Sequence, residues 1–199
     1  MKKLIALLLG ILILASLPCT AFAEAKKQDI EPIEAPVEEA ADETPEYHWE
    51  DLAPYLETLG LEGRFYTLNY FGLDLWMPDA LEFQELSDED VEAGRVAFAT
   101  DAGENVQFII VNLVYEQQIE SLYEWQDALR ELEGIEESVI CRVNDLDVLE
   151  YPLPEKDCFV CDLLVSDGSI LEFIWWPFSD EVFALHAGFM SNSLMLSES

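Results

Sequence analysis

The side chains best suited to chemistry are few, and the first candidates are Cys158-Phe159-Val160-Cys161. A Cys-x-x-Cys pair exchanges disulfides when it opens a helix, where the dipole lowers the thiol pKa. Here the pair lies inside an apolar, strand-like run. Residues three apart on a strand point to opposite faces, so these sulfurs do not meet, and two buried structural thiols are expected instead. Cys141 shares face parity with Cys161 and is the candidate for a bridge across the sheet; the sequence leaves open whether it pairs with Cys158 or Cys161.

Hard cations want several carboxylate oxygens, which makes Asp88, Glu89 and Asp90 the candidate calcium ligands. The run lacks the ordered Asp-x-Asp-x-Asp-Gly loop, so a solvated acidic loop is the expectation and calcium the alternative; no other cofactor is implied. His48, beside a linker, and His186, in the last helix, share no helical face, and no spacing resembles a zinc site. Paired carboxylates perform glycosidase chemistry, but with 42 acids in the chain close pairs are expected by chance. Gly-x-Ser-x-Gly, Walker and His-Glu-x-x-His patterns are absent from the sequence. Trp175 and Trp176 would stack on a sugar ring if exposed, yet neighbours on a strand face opposite sides and both sides look like core.

The elements that position these groups centre on Asp147–Phe178, which reads as three strands. The last two meet at Ser166-Asp167-Gly168-Ser169, where Asp-Gly fits a two-residue hairpin with positive φ at both central residues. Pairing outward from that turn sets Val165, Leu163, Cys161 and Phe159 on one face with Ile170, Ile174 and Trp176. Leu164, Val160 and Cys158 share the other with Leu171, Phe173 and Trp175; only Asp162 and Glu172 interrupt. Both faces are apolar, so both must be covered.

Upstream, Trp49, Leu52, Tyr55, Leu56 and Leu59 fall at helical spacing and Gly60 fits the position after the helix end. Phe65–Met77 reads as one or two strands broken near Gly72, with Pro78 stopping the pairing. Glu85–Glu92 reads as an acidic loop, and Arg95–Ala99 with Asn105–Val114 as a second hairpin. Gln118–Gly134 is the clearest helix, with Ser121 and Glu124 as a capping box and Ile119, Leu122, Tyr123, Ala128, Leu129 and Leu132 as its apolar stripe. Ser138–Val143 is a strand ending in the tight turn Asn144-Asp145. Ser179-Asp180-Glu181 caps a last helix whose Val182, Phe183, Phe189 and Met190 pack back on the sheet, and the chain frays after Leu194.

Three segments result: a signal peptide at 1–23, an acidic Pro-containing linker at 24–46 and one α+β domain at 47–199. Lys2 and Lys3 precede the apolar run Leu4–Leu17, and Ala21-Phe22-Ala23 supplies the small residues a signal peptidase I reads, so cleavage is expected after Ala23. Cys19 offers a rival, lipidation, but Pro18 directly before it departs from that pattern. The linker holds nine acidic residues and no aromatic, and cannot bury enough to order itself. The processed chain would carry seven basic residues against 42 acidic ones, a formal charge of −35. That charge repels nucleic acid and anionic membrane surfaces and favours solubility, cations or a basic partner.

The order of elements resembles the PsbP-like fold of the photosystem II extrinsic protein and of small exported bacterial proteins. The residues that carry the resemblance are Phe71-Gly72-Leu73-Asp74-Leu75-Trp76-Met77-Pro78, Ser121-Leu122-Tyr123-Glu124-Trp125, Val143-Asn144-Asp145-Leu146, the strands around Asp167-Gly168, and Phe178-Ser179-Asp180-Glu181-Val182-Phe183 leading to Ser191-Asn192-Ser193-Leu194. The resemblance covers about residues 61–199. It implies an antiparallel sheet covered by helices, an α/β/α sandwich, and a non-enzymatic role as adaptor or assembly factor; it transfers no functional residue. The expected function is therefore an exported, non-catalytic, acidic binding or assembly module of the cell envelope, monomeric, with a protein partner of basic character. The alternatives are a calcium-binding protein and an envelope enzyme, the latter needing a cleft with a perturbed carboxylate or thiol.

Overall fold

The computed structural model describes residues 44–101, 106–114 and 119–197. The expected signal peptide, most of the expected linker, the tip of the second hairpin and Gln118 lie outside the described residues. In chain order the elements are β1 (Glu46–Tyr47), α1 (Trp49–Leu59), β2 (Gly63–Leu68), β3 (Leu73–Pro78), β4 (Leu81–Phe83), α2 (Asp88–Glu92), β5 (Arg95–Asp101) and β6 (Phe108–Val114). Then come α3 (Leu122–Glu133), β7 (Val139–Val143), β8 (Leu146–Leu153), β9 (Cys158–Leu164), β10 (Ile170–Trp176), α4 (Glu181–Ser191) and β11 (Met195–Leu196).

These build an α+β fold on an eight-stranded sheet of order β1-β7-β8-β9-β10-β6-β5-β4, with a second sheet of order β11-β3-β2. Pairing is antiparallel throughout except for the two residues of β1, which lie parallel to β7. One face of the large sheet carries the main core. Phe159, Cys161, Leu163, Leu171, Phe173 and Trp175 pack there against Phe183, Leu185, Phe189 and Met190 of α4, against Leu75 and Met77 of β3, and against Trp49 and Leu52 of α1. On the opposite face Leu122, Trp125 and Leu129 of α3 cover Leu149, Tyr151, Val160 and Ile170.

The helix ends follow their sequence signals. Asp180 Oδ1 accepts from the N–H groups of Val182 and Phe183, both at 2.9 Å, and so satisfies two donors that α4 cannot. Ser121 Oγ accepts from Glu124 N at 3.2 Å, while the Glu124 carboxylate takes the N–H of Glu120, a variation on the expected box. Gly60 and Gly134 close α1 and α3 with φ of 68° and 71°, a region closed to most side chains.

Several expectations change. Glu85–Glu92 is not a bare loop: Ser87 caps a short helix there and Asp90 returns the bond, because Ser-x-x-Asp is itself a box. Pro78 stays paired, opposite Gly63, at the end of β3 where its missing N–H does least harm. The chain does not fray after Leu194: Met195 and Leu196 pair with Asp74 and Leu73. Tyr123 and Leu132 are exposed, and Trp125 holds the buried stripe of α3 in their place. Val182 faces solvent on the outer side of α4.

The β9–β10 turn corrects the register of the central hairpin. Gly168 has φ of 82°, but Asp167 does not take positive φ. Gly168 N bonds Val165 O at 2.9 Å and Val165 N bonds Ser169 O at 2.8 Å, a turn followed by a left-handed glycine rather than a two-residue loop. The first strand pair is Leu164 with Ile170, so Leu163 meets Leu171, Asp162 meets Glu172 and Cys161 meets Phe173. One residue of slip moves every side chain of one strand to the other face. The positive-φ pair occurs instead at Asn144 and Asp145, with φ of 46° and 70°.

Candidate functional site

With the corrected register, the two acids that interrupt the apolar hairpin stand side by side. Asp162 and Glu172 are directly opposed on the α3 face, Glu172 is opposite Asn112 of β6, and Asn112 is opposite Arg95 of β5. A single polar row therefore crosses four strands of an otherwise apolar surface. Asp162 is fully buried; its Oδ2 accepts from Trp125 Nε1 at 2.7 Å and from the Tyr151 hydroxyl at 3.1 Å, and its Oδ1 has no partner. Burial pushes its pKa up to about 8, with Glu172 and Glu133 adding repulsion while the Trp125 and Tyr151 bonds pull the other way. Burial also raises Glu172, against the pull of Asn112 Nδ2, which donates to it at 2.8 Å. At the far end Arg95 pairs with Asp90 and lies 5.8 Å over the Phe98 ring.

Helix α3 roofs only part of this face. Phe98, Phe108, Ile110 and Trp176 are half-buried and belong to neither packed cluster among the described residues. Phe108 and Trp176 stack at 4.9 Å with their planes 15° apart, and Phe98 lies 6.0 Å from Phe108. The expectation that helices cover both faces thus holds for the core face and for the β8–β9 half of the other. Trp175 is buried as expected, whereas Trp176 is part of this aromatic platform.

A raised carboxyl near pH 8 has the pKa of a general acid. Asp162 nevertheless has both ends of its environment fixed by protein: its neighbours are Trp125, Tyr151 and the sheet, and no surface of the residue reaches solvent. The pair Asp162–Glu172 is best described as a polar knot under the edge of α3, with Glu172 as its solvent-facing member.

A second buried acid lies on the core face. Glu150 is opposite Cys161, and burial pushes its carboxyl up to about 7 beside Ser191 and Cys141. Cys141 is opposite Val148, so β8 runs between Cys141 and Cys161. Strands two apart are separated by about 9–10 Å, more than the ~7 Å a disulfide spans. Face parity is right and the bridge is not possible; Cys141, Cys158 and Cys161 are free thiols, and burial raises the pKa of each. Cys158 and Cys161 point to opposite faces, as their spacing requires.

The candidate calcium residues Asp88, Glu89 and Asp90 are successive positions of α2 and do not converge. Asp90 is held by Ser87 and Arg95, which keep its carboxyl below the ordinary range. Among the described residues no cluster of three or more His, Cys, Asp or Glu side chains has the arrangement of a metal site. His48 precedes α1 with Nε2 3.5 Å from Glu46, and burial lowers the pKa of His186.

A concave feature among the described residues is a pocket of about 480 Å³ where the two sheets meet at the β9–β10 turn. Phe71, Leu73, Leu113, Leu146, Leu163 and Leu171 are among its walls, and Ser166, Asp167 and Ser169 form its polar rim. The sequence marked Phe71, Leu73 and the Ser166–Ser169 turn for the fold and none of them as a binding residue, because each is an ordinary core or turn residue until the sheets are placed.

No family model matches the chain, and no curated protein matches it. Among solved structures, the chain is similar to cyanobacterial PsbP (CyanoP) from Synechocystis sp. PCC 6803, with a TM-score of 0.44 and 12% identity over 68% of this chain and 93% of that one. It is similar to the Ran-binding protein Mog1p of Saccharomyces cerevisiae, with a TM-score of 0.37 and 12% identity over 69% of this chain and 97% of that one. A Mog1 point mutant gives a TM-score of 0.39 and 11% identity, covering 70% and 98%. The first of these is a PsbP, the family whose turn and cap motifs the sequence resembles.

Proposed function

We propose that the chain is an exported, non-catalytic binding or assembly module of the cell envelope, and that its partner is a protein with a basic, partly apolar surface. The observation that supports this reading is the half-roofed sheet face. Stacked Phe108 and Trp176, with Phe98 and Ile110, form a platform bounded by Glu172 on one side and the Arg95–Asp90 ion pair on the other. Aromatic groups ringed by charge are the composition of binding hot spots. With 42 acidic and nine basic residues in the chain, complementary charge speeds encounter with basic partners and rejects acidic ones.

The test is photocrosslinking in intact cells, with a crosslinking residue placed at Phe98 and, as control, at exposed Tyr55 of α1. The reading expects a discrete crosslinked protein at position 98, weakened by added salt, and none at position 55. The same products from both positions would overturn it.

A further inference from the structure

The pocket beside the β9–β10 turn lies on the core side of the sheet, away from the aromatic platform, and it has a chemistry of its own. Its floor is apolar: Leu73, Leu163 and Leu171 are almost fully buried, and they come from different sheets. Its mouth is flanked by Tyr70, 87% exposed, and Leu196, 63% exposed, large apolar groups that gain when something covers them. A volume of about 480 Å³ exceeds what one side chain fills and lies in the range of small-molecule sites, roughly 300–1,000 Å³.

Charge selects the ligand. Among the described residues, Asp167 is the single charged residue of the lining, and no Lys or Arg stands there. Ser169 donates its N–H and hydroxyl to Asp167 Oδ1, which holds that carboxyl below the ordinary range and keeps it ionised at neutral pH. Neither bond uses Oδ2, and Asp167 is exposed at the turn, so that oxygen is accessible to a cation. An anionic headgroup would meet a fixed negative charge at the rim, and a cation would meet its counterion. We propose that this pocket binds an amphiphile with an apolar body and a cationic head, the body between the sheets and the head on Asp167.

The experiment uses the folded chain and N-phenyl-1-naphthylamine, an uncharged apolar fluorophore, displaced by dodecyltrimethylammonium or dodecyl sulfate below their micellar concentrations. The fluorophore should bind, and the cationic amphiphile should displace it at least tenfold more effectively than the anionic one. Asp167→Asn should reduce that preference to threefold or less, while Glu62→Gln, an exposed acid elsewhere, should leave it intact. Val165→Trp, which fills the cavity, should abolish fluorophore binding; Ser166→Trp at the exposed tip is the second block should the first variant unfold. Equal displacement by the two amphiphiles would overturn the proposal, as would Glu62→Gln matching Asp167→Asn, or fluorophore binding that survives a folded pocket-filling variant.

Discussion

Replacing Asp162 by asparagine isolates the proton that this fold keeps on a buried acid. Its carboxyl titrates near 3.8 when unperturbed and at about 8 here, chiefly because burial disfavours the charged form. The native state therefore holds a proton that the unfolded chain releases, and stability falls as pH rises through that window. About four pH units at roughly 1.36 kcal/mol each give a loss of about 5 kcal/mol, complete above pH 8 and absent below pH 4. An asparagine at this position has no proton to lose, nearly the same volume, and an oxygen to accept from Trp125. Asp162→Asn should match the parent near pH 4 and exceed it by about 5 kcal/mol at pH 8. Urea unfolding followed by far-ultraviolet circular dichroism at a series of pH values measures this. The repulsion among the other acids is common to both proteins and cancels in the difference. A difference that stays flat between pH 5 and 8 would refute the assigned environment of Asp162.

The same logic applied to Glu150→Gln gives a gain of about 3 kcal/mol that develops between pH 4.5 and pH 7, since burial raises that carboxyl to about 7. Combining the two variants should be close to additive if the acids titrate independently on their opposite faces; a shortfall in the double variant's pH series would reveal coupling through the sheet. Asn144→Ala removes an acceptor for Trp49 N at 2.6 Å and donors to Asn192 O and Leu194 O at 3.0 Å, and places alanine at φ of 46°, so about 3 kcal/mol should be lost in chemical denaturation. Asn144→Gly should recover only the backbone share of that loss. In a thiol-reagent titration of residues 44–199, half-exposed Cys158 should react in the native state and Cys141 and Cys161 only on unfolding. Recovery of one thiol instead of three in denaturant would mean that a disulfide exists.

The element types were legible because their signals are local. Asp180, Ser121, Gly60 and Gly134 mark helix ends through groups within a few residues of them. The polar row was not legible, and the reason is one turn. Asp167-Gly168 suits either a two-residue loop or a turn with a following left-handed glycine, and the two differ by one residue of register. The shorter loop puts Asp162 and Glu172 on opposite faces as isolated interruptions; the longer one makes them cross-strand partners. The aromatic platform was missed for a related reason: Phe108, Ile110 and Trp176 have core composition, and only the position of α3 over β8 rather than β6 leaves them half-open. The pocket needs the placement of β3 and β11 against the large sheet, information that no single stretch carries. Where two elements of similar pattern compete for one face, as with the stripe of α3, the bulk and N–H of Trp125 decided in favour of the residue that Asp162 can hold.

Asn144 also brings the two ends of the described chain to one corner. Its backbone N–H reaches Tyr47 O at 3.0 Å, its side chain takes the N–H of Trp49, and the same side chain donates to the carbonyls of Asn192 and Leu194. Tyr47 and Leu194, near the two ends of the described residues, are therefore neighbours, within reach of a short peptide link. A circularly permuted chain, joined at that corner and reopened at an exposed turn, would retain the same three-dimensional contacts with a different chain order. By the same geometry, the pocket opens beside that corner, since Leu146 follows the Asn144-Asp145 turn and Leu196 lies two residues beyond Leu194, and both line it.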